Sequence, residues 1–493
     1  MKKRVSAHPI EYPVSLLDRV ATSRTTVLTV YTFFTLLMTY PLILKITTHI
    51  PGWGDHLQFL WNLWWVKKAL LELHTTPYYT GFIHYPTGVR LTAHTFALAN
   101  CFISIPLQLV FSRIFTYNLL VLWTSVGSAY GAYLLARRVT GDPQAAFVAG
   151  LIFAFCPYRL GHMLWGQVHL ISTQWIPFFV LSVLEMFEQP SRKSAVFASM
   201  YFVLAALDSW EYGIFLIVLF LLVFVAKLIS DYKTLISRRL AISFVVFGLT
   251  SVLVLAPFVL PVALDLTNGY HNRLDVSSIV LYNSADLLDF LVPDNYLRSY
   301  ALRKSEALGF GLPAKLIRSV YSTFASDSPY RSVFLGYTAM GLAALAVFVR
   351  LRSKEVKLWT SMVFIFLLLS LGPRLYILGQ DLIPLPYALF RRLPFIDMNR
   401  DPKRWSVLAV LFIALLAAYG LQWLHRKGNW FRAAWLLASL TVLIEFLVAP
   451  IGIRDASNFP HFYEDLAREE SDFVILDVPT DFARAGGPAG RYM

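Results

Sequence analysis

Two cysteines are all the thiol chemistry this chain carries in 493 residues, and Cys101 and Cys156 lie in separate apolar stretches. That excludes a disulfide framework and a cysteine metal site. Charge is scarce as well: 15% of residues are Asp, Glu, Lys or Arg, against 57% hydrophobic and 15% aromatic. No soluble domain has enough interior to hide that much apolar surface, so a soluble globular class is excluded. Internal repeats and low-complexity tracts are missing. The histidines of the first long loop, His74, His84 and His94, lack the i, i+4 spacing of a helical metal site and read as loop-surface positions.

In place of these features stands a series of apolar runs: Thr26 to Ile46, Leu119 to Ala136, Ala145 to Tyr158, Ile171 to Met186, Ala195 to Leu207, Ile214 to Ala226, Ala241 to Val262, Val333 to Val349, Leu358 to Leu371, Trp405 to Leu424 and Ala433 to Val448. They predict an all-α polytopic membrane protein with about 11 transmembrane helices, several of them short enough to require tilt or local thinning. The net charge of +13 does not mark a nucleic-acid binder, because the basic residues cluster in short loops between the runs. Lys2, Lys3, Arg4, Arg19 and Arg24 precede the first run, which is too long for a signal-peptide core and lacks a small-residue cleavage site, so residues 1–25 read as a cytoplasmic segment before an uncleaved anchor.

One further run, Phe96 to Val110, decides the topology. Counting it as a span would place Arg137/Arg138, Arg192/Lys193, Lys227 to Arg239, Arg350 to Lys357 and Arg426 to Arg432 outside, against the positive-inside rule. It is therefore read as re-entrant or interfacial. The transmembrane domain then covers 26–450, with outer loops at 47–118, 263–331 and 372–404 and an outer-face C-terminal segment at 451–493. Within that segment Phe462 to Glu470 reads as an amphipathic helix and Phe473 to Val478 as a strand, the start of a small α/β domain whose missing partner strands suggest a truncated sequence.

Polar residues that could do chemistry gather in those outer segments. Asp55, Gln58 and Asn62 share one face of a Trp-rich interfacial helix that begins after Gly54. Asp55 can be read as a carboxylate facing a cavity or, with Gln58 three residues on, as a capping box. Arg159, His162 and His169 lie in a polar segment squeezed between two apolar runs, where they can bind substrate or anchor the spans at the headgroups. Asp208 and Glu211 occupy a tight turn and rank below Asp55, since acids at a span end carry little cost. Arg391, Arg400 and Arg404 form a basic cluster on the face where positive charge is normally avoided. Arginine forks match phosphate oxygens, and the competing readings are structural anionic lipid or pairing with Asp397 and Asp401.

The first span followed by a long outer loop with Gly54-Asp55, the interfacial helix, the Ala136 to Arg138 loop and the short span ending in Pro157-Tyr158 resemble the GT-C superfamily of multipass membrane glycosyltransferases. The likeness runs over nearly the whole membrane region and is greatest to prokaryotic members of the polyprenyl-phosphate-sugar-dependent type. It implies transfer of a hexosyl or pentosyl group from a polyprenyl-phosphate-linked donor to a hydroxyl of a glycan, lipid or protein acceptor on the outer face of the cell envelope membrane. Asp55 matches the catalytic carboxylate, and His56, Gln58, Arg159, His162, His169, Glu211, Arg391, Arg400 and Arg404 are the expected substrate contacts. The superfamily's second acid has no counterpart between Tyr158 and Leu170, so a divalent metal is compatible with the pattern without being indicated by it, and no other cofactor is implied. A lone carboxylate suits this chemistry, because a lipid phosphate leaves readily and only the incoming hydroxyl needs a base. A transporter or flippase of a lipid-linked or anionic substrate is the competing class; it would show broken helices and a mid-membrane polar site. A non-catalytic scaffold on the same fold is a third reading.

Overall fold

The computed structural model describes residues 23–269, 277–293, 333–392, 399–428, 431–458, and 461–469 apart from 467. In chain order its principal helices are α1 (Arg24–Met38), α2 (His56–Lys67), α3 (Leu98–Gln108), α4 (Arg113–Thr140), α5 (Pro143–Phe155), α6 (Pro157–Leu164), α7 (Val168–Ile171), α8 (Trp175–Glu188), α9 (Arg192–Asp208), α10 (Trp210–Leu235), α11 (Arg238–Thr267), α12 (Tyr337–Arg350), α13 (Lys354–Ser370), α14 (Ser406–His425) and α15 (Phe431–Glu445). Local sequence sets their ends. Ser112, Ser191 and Ser353 cap α4, α9 and α13 with their hydroxyls, and Gly141 closes α4 in the left-handed conformation. Asp142 accepts from the Gln144 and Ala145 amides while Pro143 takes the first turn of α5, where no N–H is needed.

Each of the eleven apolar runs contains a helix, but they are not equivalent. Among the described residues six segments are long and apolar enough to cross a membrane: Arg113–Thr140, Pro143–Leu164, Val168–Glu188, Trp210–Lys233, Arg238–Thr267 and Pro402–His425. α1, α9, α12, α13 and α15 have 14 to 17 residues and fall short of that length. The first run was expected to be helical to Ile46; α1 stops at Met38, ahead of Pro41, and α12 begins at Tyr337 rather than Val333. α3 has 11 residues, about 16 Å of rise against roughly 30 Å of hydrocarbon, so it does not span.

α5 and α14 form the wholly buried centre, packed by α4, α12 and α13. Gly420 of α14 allows a close approach: a Cβ there would lie 2.2 Å from the Leu342 carbonyl of α12. α10 and α11 lie at the periphery and leave Ile217, Leu221, Val245, Leu249 and Leu253 exposed, an apolar surface suited to lipid.

The two ends of the bundle are built differently. At one end gather Arg138 with Glu188, His425 with Asp142, and the Gln422 amide on the Thr140 carbonyl. At the other, β1 (His49–Pro51) pairs antiparallel with β6 (Ile453–Asp455), tying the first loop to the segment after α15. Two hairpins, β2 (Tyr79–Thr80) with β3 (Val89–Arg90) and β4 (Arg374–Ile377) with β5 (Gln380–Pro384), complete the sheets. A helix at His461–Leu466 lies where the amphipathic segment was expected. The expected strand at 473–478, the segment before residue 23 that was expected in the cytoplasm, Asp397 and most of the 263–331 loop fall outside the described residues.

Candidate functional site

Asp55 is presented by a loop that cannot be built with ordinary residues. Gly52 and Gly54 have φ of +65° and +89°, and a Cβ on Gly52 would lie 2.0 Å from the Leu164 carbonyl. The closeness serves a strap of backbone hydrogen bonds: Gly52 N to Gly452 O at 2.6 Å, Trp53 N to Leu164 O at 2.7 Å and Asp55 N to Trp165 O at 2.9 Å. The start of α2 is thereby fixed against the end of α6.

The capping-box reading of Asp55 is overturned. Its backbone has φ −78° and ψ 5°, away from the extended conformation that turns an N-cap side chain toward the helix, and its carboxylate makes no cap hydrogen bond. Gln58 instead donates to the Thr95 carbonyl at 3.4 Å. Asp55 is half-buried, and Gln167 Nε2 reaches its Oδ2 at 3.4 Å. Burial raises its pKa above the ordinary 3.8, opposed by the Gln167 contact and by the positive charge of Arg404.

The expected residues divide into two groups. His162, His169, Glu211 and Arg404 come to the same end as Asp55. His162 Nδ1 meets Gln167 Oε1 at 2.5 Å, and its ring lies edge-on to Tyr158 at 4.5 Å. Tyr158 shares a hydrogen bond of 3.1 Å with Tyr212, whose hydroxyl donates to the Leu170 carbonyl. His169 stacks on Phe59 of α2 with centroids 5.3 Å apart. Arg404 donates from Nη1 to Glu211 Oε2 at 2.7 Å and lies 3.4 Å from Asp401, which sets a cation inside the bundle end within electrostatic reach of Asp55. Arg400 is exposed and its charge reaches Glu211, whereas Arg391 is half-buried with an Nε that meets no acceptor among the described residues.

The other group is occupied in holding the fold. Arg159 was expected to bind substrate or anchor at the headgroups; it is buried, and its five N–H groups face Ala154 O, Ile171 O twice, Thr124 Oγ1 and Ser125 Oγ. Its fork clamps the breaks that end α5 and α7. His56 is buried against the Tyr117 hydroxyl at 2.6 Å, and burial lowers its pKa to about 4, so the ring is neutral. Asn62 gives its amide to Thr95 O and Phe96 O and accepts from His94 at 2.7 Å. Trp65 is fully buried and donates to Pro77 O, which removes it from the expected interfacial belt.

Asp208, set aside on sequence, proves to be a cap in trans. One oxygen accepts from the Asn100 amide in the first turn of α3 and the other from Trp175 Nε1, both at 2.9 Å. Gln167 is the residue that sequence reasoning passed over; its only signal is the Gly166-Gln167 step, where Gly166 has φ +77°. Among the described residues no group of three or more His, Cys, Asp or Glu side chains is placed to hold a metal ion.

A helical membrane bundle with a strapped acid on one end and a half-buried arginine within electrostatic reach of it is the class these features define. No protein-family profile matches the chain, and no curated protein sequence does. Solved structures do. The cryo-EM structure of the arabinofuranosyltransferase AftD from mycobacteria aligns over 90% of this chain and 28% of its own, with 13% identity and a TM-score of 0.52. The oligosaccharyltransferase of Archaeoglobus fulgidus aligns in its apo form (94% of this chain, 58% of its own, 14% identity, TM-score 0.49) and in its complex with Zn and sulfate (89%, 54%, 15%, 0.48). The fold is similar to that of the mycobacterial arabinofuranosyltransferase. The chain spans little more than a quarter of the mycobacterial protein's length.

Proposed function

We propose that this protein is a membrane glycosyltransferase that moves a hexosyl or pentosyl group from a polyprenyl-phosphate-linked donor to an acceptor hydroxyl at the outer face, with eleven spans, a cytoplasmic N-terminus and the Asp55 end outside. The observation that carries this reading is the condition of Asp55. It is half-buried, excluded from helix capping and touched by one long hydrogen bond, so its second oxygen is available to a substrate proton. The acceptor oxygen bonds to the anomeric carbon as the bond from that carbon to the phosphate oxygen breaks. Asp55 takes the hydroxyl proton, and the electron pair leaves on the lipid phosphate. Arg404, fixed by Glu211, and the exposed Arg400 supply positive charge to that leaving group. A glycan, lipid or protein hydroxyl would serve as acceptor. The arrangement favours an enzyme over a flippase because the polar groups collect at one end of the bundle.

The test is a transfer assay in proteoliposomes with a panel of radiolabelled polyprenyl-phosphate sugars, comparing wild type with Asp55→Asn at matched protein. Label should move to an acceptor with wild type only, with kcat down at least about a thousandfold in the variant. Faster transbilayer movement of unaltered donor would establish the flippase instead.

A further inference from the structure

We infer that Gln167 is a positioning residue that couples the Asp55 carboxylate to His162, holding one oxygen of the base and fixing the imidazole so that its Nε2 lone pair is presented to the bound hydroxyl. This deepens the proposal above and rests on Asp55 being the base.

The geometry is a three-member chain. Gln167 is buried at the start of α7, and its side chain makes no cap hydrogen bond, which frees it to reach outward. Its amide donates through Nε2 to Asp55 Oδ2 at 3.4 Å, and its Oε1 faces His162 Nδ1 at 2.5 Å. The reverse orientation of the amide would set its oxygen against a carboxylate oxygen, so an ionised Asp55 selects the orientation seen. An amide oxygen only accepts, and His162 must therefore carry its proton on Nδ1. Its Nε2 is then an acceptor, and among the described residues it makes no hydrogen bond. The Tyr158 edge contact holds the ring in plane. Asp55 and His162 thus present two acceptors through one amide, which suits a hydroxyl that must be oriented before it loses its proton.

The charged and titratable groups that bear on Asp55 are Arg404 ahead of α14 and Tyr117 on α4; Arg404 also acts on His162 of α6 and His169 of α7, and Arg454 of β6 acts on His56 of α2. Substitution at Gln167 alters the hydrogen bond of His162 and leaves the other groups in place.

The experiment is the pH dependence of kcat/KM for transfer in proteoliposomes by wild type, Gln167→Glu, Gln167→Met and Asp55→Asn. In Gln167→Glu a second carboxylate faces the base, and the acidic limb should move up by at least about one pH unit, with the rate recovering above the limb. Gln167→Met removes a donor to the charged form and should move the limb upward by less, with kcat down about tenfold and KM for the donor little changed. Limbs at the wild-type pH in both variants, whatever their stability, would overturn the inference. If Gln167→Glu does not accumulate, Gln167→Met decides alone. An inert Asp55→Asn alongside unmoved limbs would reject the coupling and keep the base, whereas an active Asp55→Asn would reject both.

Discussion

Asp55 and Asp208 sit at the same end of the bundle in opposite circumstances. Asp208 closes α9 and is buried, with each oxygen accepting a hydrogen bond from a distant element, α3 through Asn100 and α8 through Trp175. Asp55 opens α2 on a loop strapped by backbone bonds, yet its own oxygens receive one long contact. The backbone around Asp55 is held rigid and its side chain is left available; around Asp208 the side chain is itself the tie. A carboxylate committed to protein donors builds structure, and one whose carrier is fixed while its oxygens are free is equipped for proton transfer.

The comparison breaks first at Asp208. Asp208→Asn leaves one donor facing an amide N–H, and the fold should lose about 1 to 3 kcal/mol. Thermal unfolding in detergent checks this: a lowered midpoint with near-normal turnover per folded molecule is expected, and normal stability with lost turnover would reverse the assignment of the two acids. Arg404 sharpens it next. Arg404→Ala leaves the partly buried Glu211 without its cation and should destabilise by about 1 to 3 kcal/mol, most of which Glu211→Gln in the same chain should restore. Donor KM should stay raised in the double variant; recovery of KM would mean that Arg404 acts on the fold alone.

A comparable effect, confined to acid, concerns His56. Its folded pKa of about 4 lies below the 6.5 of an exposed histidine, so the unfolded chain binds the extra proton between those values. Stability is therefore complete above pH 6.5 and falls toward pH 4, by about 3 kcal/mol. Unfolding midpoints measured across that window should drop further for wild type than for His56→Gln; parallel curves would contradict it.

Much of this arrangement is legible in the sequence. Eleven apolar runs mark helices, and the positive-inside rule is what sets Phe96 to Val110 apart from them. Arg138 meets Glu188 at the end of the bundle where His425 meets Asp142. What stayed hidden depends on contacts between residues far apart in the chain. Asp55 and Gln58 match a capping box, and the backbone angles at Asp55 together with the bond from Gln58 to Thr95 rule it out. Arg159 looks like a headgroup anchor until Ala154 and Ile171 are seen to turn their carbonyls toward it. Asp208 and Asn100 are 108 positions apart, and Arg404 and Glu211 are 193 apart. No local pattern announces such pairs. Gln167 is the sharpest case, since a glutamine between a glycine and a valine carries no motif and takes its meaning from Asp55 and His162 together.

The most direct test of the account is the single-turnover rate of sugar transfer as a function of pH, for wild type and Asp55→Asn. Burial raises the Asp55 pKa, and a base works only when ionised, so wild-type turnover should fall with decreasing pH through a limb above the ordinary 3.8 of an aspartate. The limb should vanish with the activity in Asp55→Asn. Transfer by Asp55→Asn with the same limb would show that another group removes the proton, and the central claim would fail.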